Sequence, residues 1–202
     1  PVGTTLPEVL GRPNPQGKGQ VGFLLDWSYS RPRGVVAKRA PQLLADYFTS
    51  LLVLSADFSI RPVFGKNYYL YVNDENWSLS LVAPDEWNDS TKRQAFVGRC
   101  VLHEDSTWSI EPSENIGKTG AIDHSLAAFY DRFIEKLESS ATLEGGFPVY
   151  ESGLPFYHRL FASALSRSLI GSMTMGNQLG VGAETWLAKI PRDAQRLFLD
   201  TA

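Results

Sequence analysis

Residues 68–108 read YYLYVNDENWSLSLVAPDEWNDSTKRQAFVGRCVLHEDSTW, and this stretch decides the fold. It contains three runs of alternating apolar and polar character, Tyr68–Val72, Trp77–Leu81 and Ala95–Leu102. Such alternation is typical of strands that bury one face. Asn73–Asn76 has the composition and length of a hairpin turn. We therefore predict a three- or four-stranded antiparallel sheet over about 68–110, with Trp108–Ile110 as the candidate fourth strand.

Three longer amphipathic segments predict helices at about 41–58, 122–138 and 155–171. Pro41 suits the first turn of a helix, and Arg61-Pro62 lies just beyond its predicted end. The sheet and helices together predict a single α+β domain over residues 41–171.

The flanking regions differ from this body in composition. Residues 1–40 are rich in proline and glycine, which disfavour regular structure, and are predicted to form an irregular basic arm. Residues 172–202 are predicted to form a glycine-rich linker followed by short C-terminal helices.

The composition fits a cytoplasmic protein of one domain. A chain of 202 residues can bury enough surface without covalent cross-links. The single cysteine, Cys100, cannot form an internal disulfide and is predicted to be a small buried hydrophobe. No apolar run approaches the roughly 20 residues of a membrane-spanning helix, so no membrane association is expected.

Charge is unevenly distributed although the net charge is only −3. Residues 12–39 contain six basic residues and one acid, whereas residues 74–144 contain fourteen acids and six bases. The basic arm could contact phosphates or an anionic surface, or it could lie on its own acidic body. Because Phe23, Leu25 and Trp27 interleave with its charges, we expect an ordered strap along the body and no nucleic-acid binding.

No catalytic or metal-binding motif is present. Gly11–Gly19 is one residue too long for a phosphate-binding loop and lacks its Ser/Thr. The three histidines, His103, His124 and His158, lie in no nucleophile motif. His103, Glu104 and Asp105 are consecutive, so strand geometry would send them to different faces, and no metal or other cofactor is expected.

The aromatic residues of the sheet are the better candidates for a site. Aromatic rings with polar tips are typical of binding grooves, although a small sheet also fills its core with such rings. The predicted binding residues are Tyr69, Tyr71, Glu86, Trp87, Arg99 and Trp108. Glu86 could instead cap a backbone end beside Trp87.

The order of these motifs resembles a known family. The matching residues are Tyr69-Leu70-Tyr71, Ser80, Pro84, Glu86, Trp87, Phe96, Gly98, Asp105 and Trp108. This pattern is similar to the domain of unknown function family 2452, a group of uncharacterised bacterial and eukaryotic proteins, over roughly residues 14–115. The resemblance implies no activity, cofactor or substrate.

The sequence favours a non-catalytic binding or interaction module with an unknown protein or small ligand as partner, and self-association stays open. The alternative is an enzyme with a polar site at the sheet edge, around Glu86, Arg99, His103 and Asp105. A third interpretation is an anionic-surface or nucleic-acid contact through the basic arm.

Overall fold

The computed structural model describes residues 31–148, 154–191 and 194–199. Pro32–Ala202 forms a unit of its own, and the elements below belong to it. Most of the predicted basic arm, including Phe23, Leu25 and Trp27, lies outside the described residues.

Four strands form one antiparallel sheet, which confirms the predicted fold class. The strands are β1 (Asn67–Asn73), β2 (Asn76–Ser80), β3 (Phe96–Leu102) and β4 (Trp108–Pro112). Their order in the sheet is β2-β1-β3-β4. The β1–β2 hairpin turns at Asp74 and Glu75, whose φ angles of 47° and 65° are the left-handed values of a tight two-residue turn.

Six helices are described, and the three long ones match the predicted helices apart from their ends. They are α1 (Ala40–Ser55), α2 (Ser90–Gln94), α3 (Gly120–Glu138), α4 (Phe156–Met175), α5 (Ala183–Leu187) and α6 (Ala194–Leu199). Short 3-10 helices lie at Pro84–Glu86 and Glu144–Gly146. None of the described helices combines the length and apolarity needed to cross a bilayer.

The core lies between one face of the sheet and the long helices. Alternation places Tyr68, Leu70 and Trp77 on this inner face, where each is almost completely buried. Helix α1 is the centre of the core, because its residues 43–50 are buried without a break. Cys100 is also fully buried, as predicted.

The C-terminal region contains the two predicted short helices, α5 and α6, and both pack against the body. Helix α4 continues past residue 171 to Met175 and lies close to the chain before α1, since a Cβ at Gly171 would be 3.4 Å from Val35 Cγ1. Helices α5 and α6 bury Trp186, Leu197 and Phe198 in the core. The described part of residues 172–199 thus contains two short helices that pack on the body.

The edge of β4 docks on helix α1 through two hydroxyl groups. The Trp108 amide donates to Ser50 Oγ (2.8 Å), and the Thr49 hydroxyl donates to the Trp108 carbonyl oxygen (2.6 Å). Thr49 and Ser50 are both fully buried. Buried backbone donors and acceptors need hydrogen-bond partners, which explains why two polar residues lie on the otherwise apolar face of α1.

The chain that leaves α1 lies along the opposite edge of the sheet. Helix α1 ends at Ser55, three residues before its predicted end, because Ala56 is extended. The Asp57 amide donates to the Trp77 carbonyl oxygen (2.8 Å), and the Leu79 amide donates to the Asp57 carbonyl oxygen (3.0 Å). This short bridge holds Asp57 against β2.

The connection between β2 and β3 must cross β1, because β1 lies between them in the sheet. We call this connection, residues 81–95, the crossover segment. It contains the 3-10 helix Pro84–Glu86 and helix α2. It lies over the outer face of the sheet, the face opposite the core, where the Tyr71 hydroxyl donates to the Val82 carbonyl oxygen (2.8 Å).

Replacing Ser50 by alanine should lower the free energy of unfolding by about 1–3 kcal/mol, because the buried Trp108 amide loses its acceptor. Urea unfolding followed by tryptophan fluorescence measures this loss. Ser55→Ala is the matched control, because Ser55 is exposed at the end of the same helix, and it should change stability by less than about 0.5 kcal/mol. Equal effects of the two variants would contradict the role assigned to Ser50.

Candidate functional site

Three aromatic rings lie side by side on the outer face of the sheet. Tyr69 and Tyr71 project there from β1, and Phe96 joins them from β3. The Phe96 ring centroid lies 6.1 Å from that of Tyr69 and 5.5 Å from that of Tyr71. A shift in the β1–β3 register between Leu70 and Tyr71 places Phe96 opposite Tyr71. The predicted face of both tyrosines is therefore confirmed, and Phe96 is a ring that the predicted site did not include.

Trp87 of the crossover segment joins this cluster through Tyr71. Its indole Nε1 donates to the Tyr71 hydroxyl (3.1 Å), and the two rings meet edge to face with centroids 6.3 Å apart. The Lys92 ammonium lies 3.8 Å from the Trp87 ring centroid, a cation–π contact. Burial raises the pKa of Tyr71, partly offset by the hydrogen bond from Trp87, so Tyr71 acts as a neutral hydroxyl. Trp87 is half-buried and fastens the crossover segment to β1.

Arg99 and Glu111 form an ion pair beside these rings. Arg99 lies opposite Tyr69 on one side and opposite Glu111 on the other, so the three residues form a row across β1, β3 and β4. Arg99 Nε donates to Glu111 Oε2 (2.8 Å), and the side chains are 49% and 65% exposed. Gly98 allows the strands to approach here, since a Cβ would lie 2.6 Å from the Glu111 carbonyl oxygen.

An open depression of about 590 Å³ lies over this row. The Tyr69 and Phe96 rings and the Arg99–Glu111 pair line it from the sheet. The remaining lining residues come from the crossover segment, from the last residue of β4 and from the chain after it: Ala83, Pro84, Asp85, Arg93, Pro112, Ser113, Glu114 and Asn115. The Asn115 side chain holds the two walls together by donating to the carbonyl oxygens of Arg93 (2.9 Å) and Phe96 (3.1 Å).

Of the six predicted binding residues, only Tyr69 and Arg99 line this depression. Tyr71 and Trp87 contact each other beside it, and Trp108 and Glu86 have other roles. Trp108 is 1% exposed and lies on the inner face, where its ring meets that of Tyr68. It belongs to the core, because its position opposite Leu102 fixes its face of the sheet. Glu86 caps its own turn, with Oε2 accepting from the Ala83 amide (2.7 Å).

The polar residues of the enzyme interpretation do not converge. Glu86 and Arg99 have the local partners described above, and Asp105 binds Lys38 and Thr107. His103 Nε2 lies 2.7 Å from Ser109 Oγ, but the Asp105 carboxylate is not free to orient the ring. Within the described ranges no three His, Cys, Asp or Glu side chains come together as a metal site. Burial raises the pKa of the Cys100 thiol, which makes it a poor nucleophile.

A buried ionic cluster lies at the other end of β3 and was not predicted. Lys38 Nζ lies 2.5 Å from Asp46 Oδ2 and 2.6 Å from Asp105 Oδ2. Asp105 Oδ1 accepts from the amide and hydroxyl of Thr107 (3.0 and 2.6 Å). The three charged side chains are at most 15% exposed. The cluster joins the chain before α1, helix α1 itself and the β3–β4 turn.

The chain before α1, residues 32–39, also follows the body through backbone contacts. The Arg33 amide donates to the Glu104 carbonyl oxygen (2.8 Å), and the Lys38 amide donates to Ser172 Oγ (3.1 Å). Gln178 Nε2 donates to the Lys38 carbonyl oxygen (3.2 Å). This part of the predicted strap is therefore ordered against the body, and residues 12–30 lie outside the described residues.

Burial acts to raise the pKa of both carboxylates of the cluster, but their net pKa shifts have opposite directions. Burial disfavours the Lys38 ammonium, but Asp46 and Asp105 outweigh this effect and raise its pKa. For Asp46, burial outweighs the attraction of Lys38, and its pKa is raised. For Asp105, burial is outweighed by hydrogen bonds from Lys38 and Thr107, and its pKa is lowered. Asp105 is thus the better stabilised of the two anions.

Comparisons with models of protein families, with curated proteins and with solved structures find no match.

Lys38→Met should lower the free energy of unfolding by about 3–5 kcal/mol, because two buried carboxylates lose their counter-charge. Urea unfolding near neutral pH measures the loss. Lys136→Met, on the exposed surface of α3, is the control and should stay within about 0.5 kcal/mol of the parent protein. A Lys38→Met variant as stable as this control would show that the cluster adds nothing to stability.

The pH dependence should distinguish the two carboxylates. Asp105 has a lowered folded pKa, so its stabilisation is present above its unfolded pKa and is lost as the pH falls through the folded one. The stability difference between parent and Asp105→Asn should therefore shrink below about pH 4. Asp46 has a raised folded pKa, so the parent should gain stability relative to Asp46→Asn as the pH falls through it. Urea titrations between about pH 7 and about pH 3 measure both trends. A pH-independent difference for Asp105→Asn would contradict the assignment.

Proposed function

We propose that this chain is a non-catalytic binding module and that its ligand lies in the depression on the outer face of the sheet. The observation that carries the proposal is the row of Tyr69, Arg99 and Glu111 beneath an open depression of about 590 Å³. Binding sites are typically concave, lined by aromatic rings and provided with a few oriented polar groups. The depression combines these properties on a face that the long helices leave exposed.

The partner that fits such a surface is a protein segment. The depression is open, whereas a small molecule is usually bound in a site that encloses most of its surface. Tyrosine and arginine are also the residues that contribute most to protein interfaces, because they combine large contact areas with polar ends. Tyr69 is half-buried and its hydroxyl has no partner within the described residues, so it can bind a ligand without first losing an internal contact.

The same geometry argues against an enzyme at the sheet edge. Catalysis gains from groups held in a site that excludes water, whereas Arg99 and Glu111 are about half exposed or more. His103 and Ser109 have the spacing of a base and a nucleophile. Both oxygens of Asp105, the aspartate of the enzyme interpretation, are already bound by Lys38 and Thr107.

The basic arm has fewer charges available for binding phosphate than its composition indicates. Lys38, one of its six basic residues, is bound internally by two carboxylates. We also propose a cytoplasmic location, which rests on the buried free Cys100. Membership of the domain of unknown function family 2452 is likewise a proposal, supported by the motif residues from Tyr69 to Trp108.

A photo-cross-linking amino acid at position 69 tests the proposed site. The aromatic cross-linker p-benzoylphenylalanine replaces Tyr69 in the full chain, and the protein is irradiated in a lysate of the organism that encodes it. We expect discrete adducts at position 69 and none with the same group at Asp131, an exposed position on α3. Arg99→Ala in the position-69 background should weaken the adducts, because loss of an interface arginine costs about 1–2 kcal/mol.

Thermal melting of each variant controls for unfolding. Arg99 is exposed, so Arg99→Ala should melt close to the parent protein. Adducts at positions 69 and 131 that do not differ, or adducts at position 69 that ignore Arg99→Ala, would exclude the outer face as the binding surface.

A further inference from the structure

We infer that the partner inserts an extended polypeptide segment into the depression, with an apolar residue on the Tyr69–Phe96 floor, a basic residue toward Asp85 and an acidic residue toward Arg93. This inference rests on the proposed function and specifies its ligand. It follows from the charges around the depression that have no counter-charge among the described residues.

Five charged side chains line the depression, and three of them are already paired. They are Asp85, Arg93, Arg99, Glu111 and Glu114. Arg99 is bound by Glu111, and Glu114 accepts from Lys118 at 3.3 Å. Within the described residues Asp85 has no ion pair, and Arg93 donates only to the backbone carbonyl oxygen of Trp87 (3.2 Å). One carboxylate and one guanidinium therefore remain for a ligand.

These two groups belong to the same wall, the crossover segment. Asp85 lies in the 3-10 helix Pro84–Glu86, and Arg93 lies in helix α2. They make no ion pair with each other, so a ligand does not have to break one before binding. Hydrogen bonds from Asn115 to the carbonyl oxygens of Arg93 and Phe96 fix the position of α2 relative to the floor. The opposite charges therefore have a defined placement beside the rings.

A ligand that complements this surface must carry charges of both signs. A polyanion such as nucleic acid would bring phosphates close to three carboxylates, which like-charge repulsion disfavours. A purely cationic ligand would leave Arg93 without a counter-charge. An extended polypeptide supplies an apolar residue and flanking charges at short spacing, and the order of those charges would fix its direction in the depression.

The test is selection of random linear peptides, displayed on phage, against the full chain. The parent protein should enrich peptides with an apolar residue between a basic and an acidic position. Asp85→Lys should reverse the preference at the basic position, and Arg93→Glu should reverse it at the acidic position. Synthetic parent-type peptides should bind each variant at least about tenfold more weakly, and charge-reversed peptides should restore the affinity.

Matched control variants separate local from general charge effects. Asp131→Lys and Lys136→Glu make the same changes of charge on exposed residues of α3 and should leave the enriched peptides unchanged. Arg93→Gln retains a side-chain donor for the Trp87 carbonyl oxygen and should remove the acidic preference without reversing it. It therefore replaces Arg93→Glu as the informative variant if melting shows that the glutamate variant is unfolded.

The outcomes distinguish this inference from the proposed function. Enriched peptides that depend on Tyr69 but keep their charges in both reversal variants would overturn the inference and leave the binding face intact. Failure to enrich any peptide would also overturn it. The cross-linking result at position 69 then decides separately whether the outer face binds a partner of another kind.

Discussion

The structure depends on the docking of helix α1 against the edge of β4. Thr49 supplies the donor and Ser50 the acceptor that the backbone of Trp108 needs, in a position from which water is excluded. Apolar contacts alone would allow α1 to slide along the sheet, because the hydrophobic effect is not directional. The two hydroxyl groups fix its position to one residue. The remaining helices then pack around a helix whose place is already defined.

The two faces of the sheet serve different purposes because of this docking. The inner face is committed to the core, and the outer face is left to the crossover segment. That segment is fastened to the sheet by polar contacts, chiefly those of Tyr71 with Val82 and Trp87. It therefore shapes the depression without filling it, and the sheet supplies a rigid floor of rings and one ion pair.

Local pattern predicted most of the fold and part of the site. Alternation in Tyr68–Val72 gave the faces of both tyrosines, and the spacing in the three long helices gave their positions. The sequence places Trp108 in the site, whereas the structure places it in the core. Its face of the sheet is fixed by its pairing with Leu102 of β3, and alternation within its own strand does not reveal that pairing. The Lys38 cluster was missed because its members are 8 and 67 residues from Lys38 along the chain. The only feature of the sequence that pointed to this cluster was the opposite net charge of the basic arm and the acidic body.

The hydrogen bonds of Asp57 with β2 have a consequence for how the protein meets other chains. An unprotected edge strand offers backbone donors and acceptors to any extended segment and is a common start of aggregation. Here Asp57 occupies part of one edge, and Thr49 and Ser50 occupy the backbone groups of Trp108 on the other. In the folded protein, neighbouring molecules thus find fewer free backbone groups along these two edges. Recognition at the outer face of the sheet then depends on side chains, which differ from one protein to another, more than on the backbone, which is common to all of them.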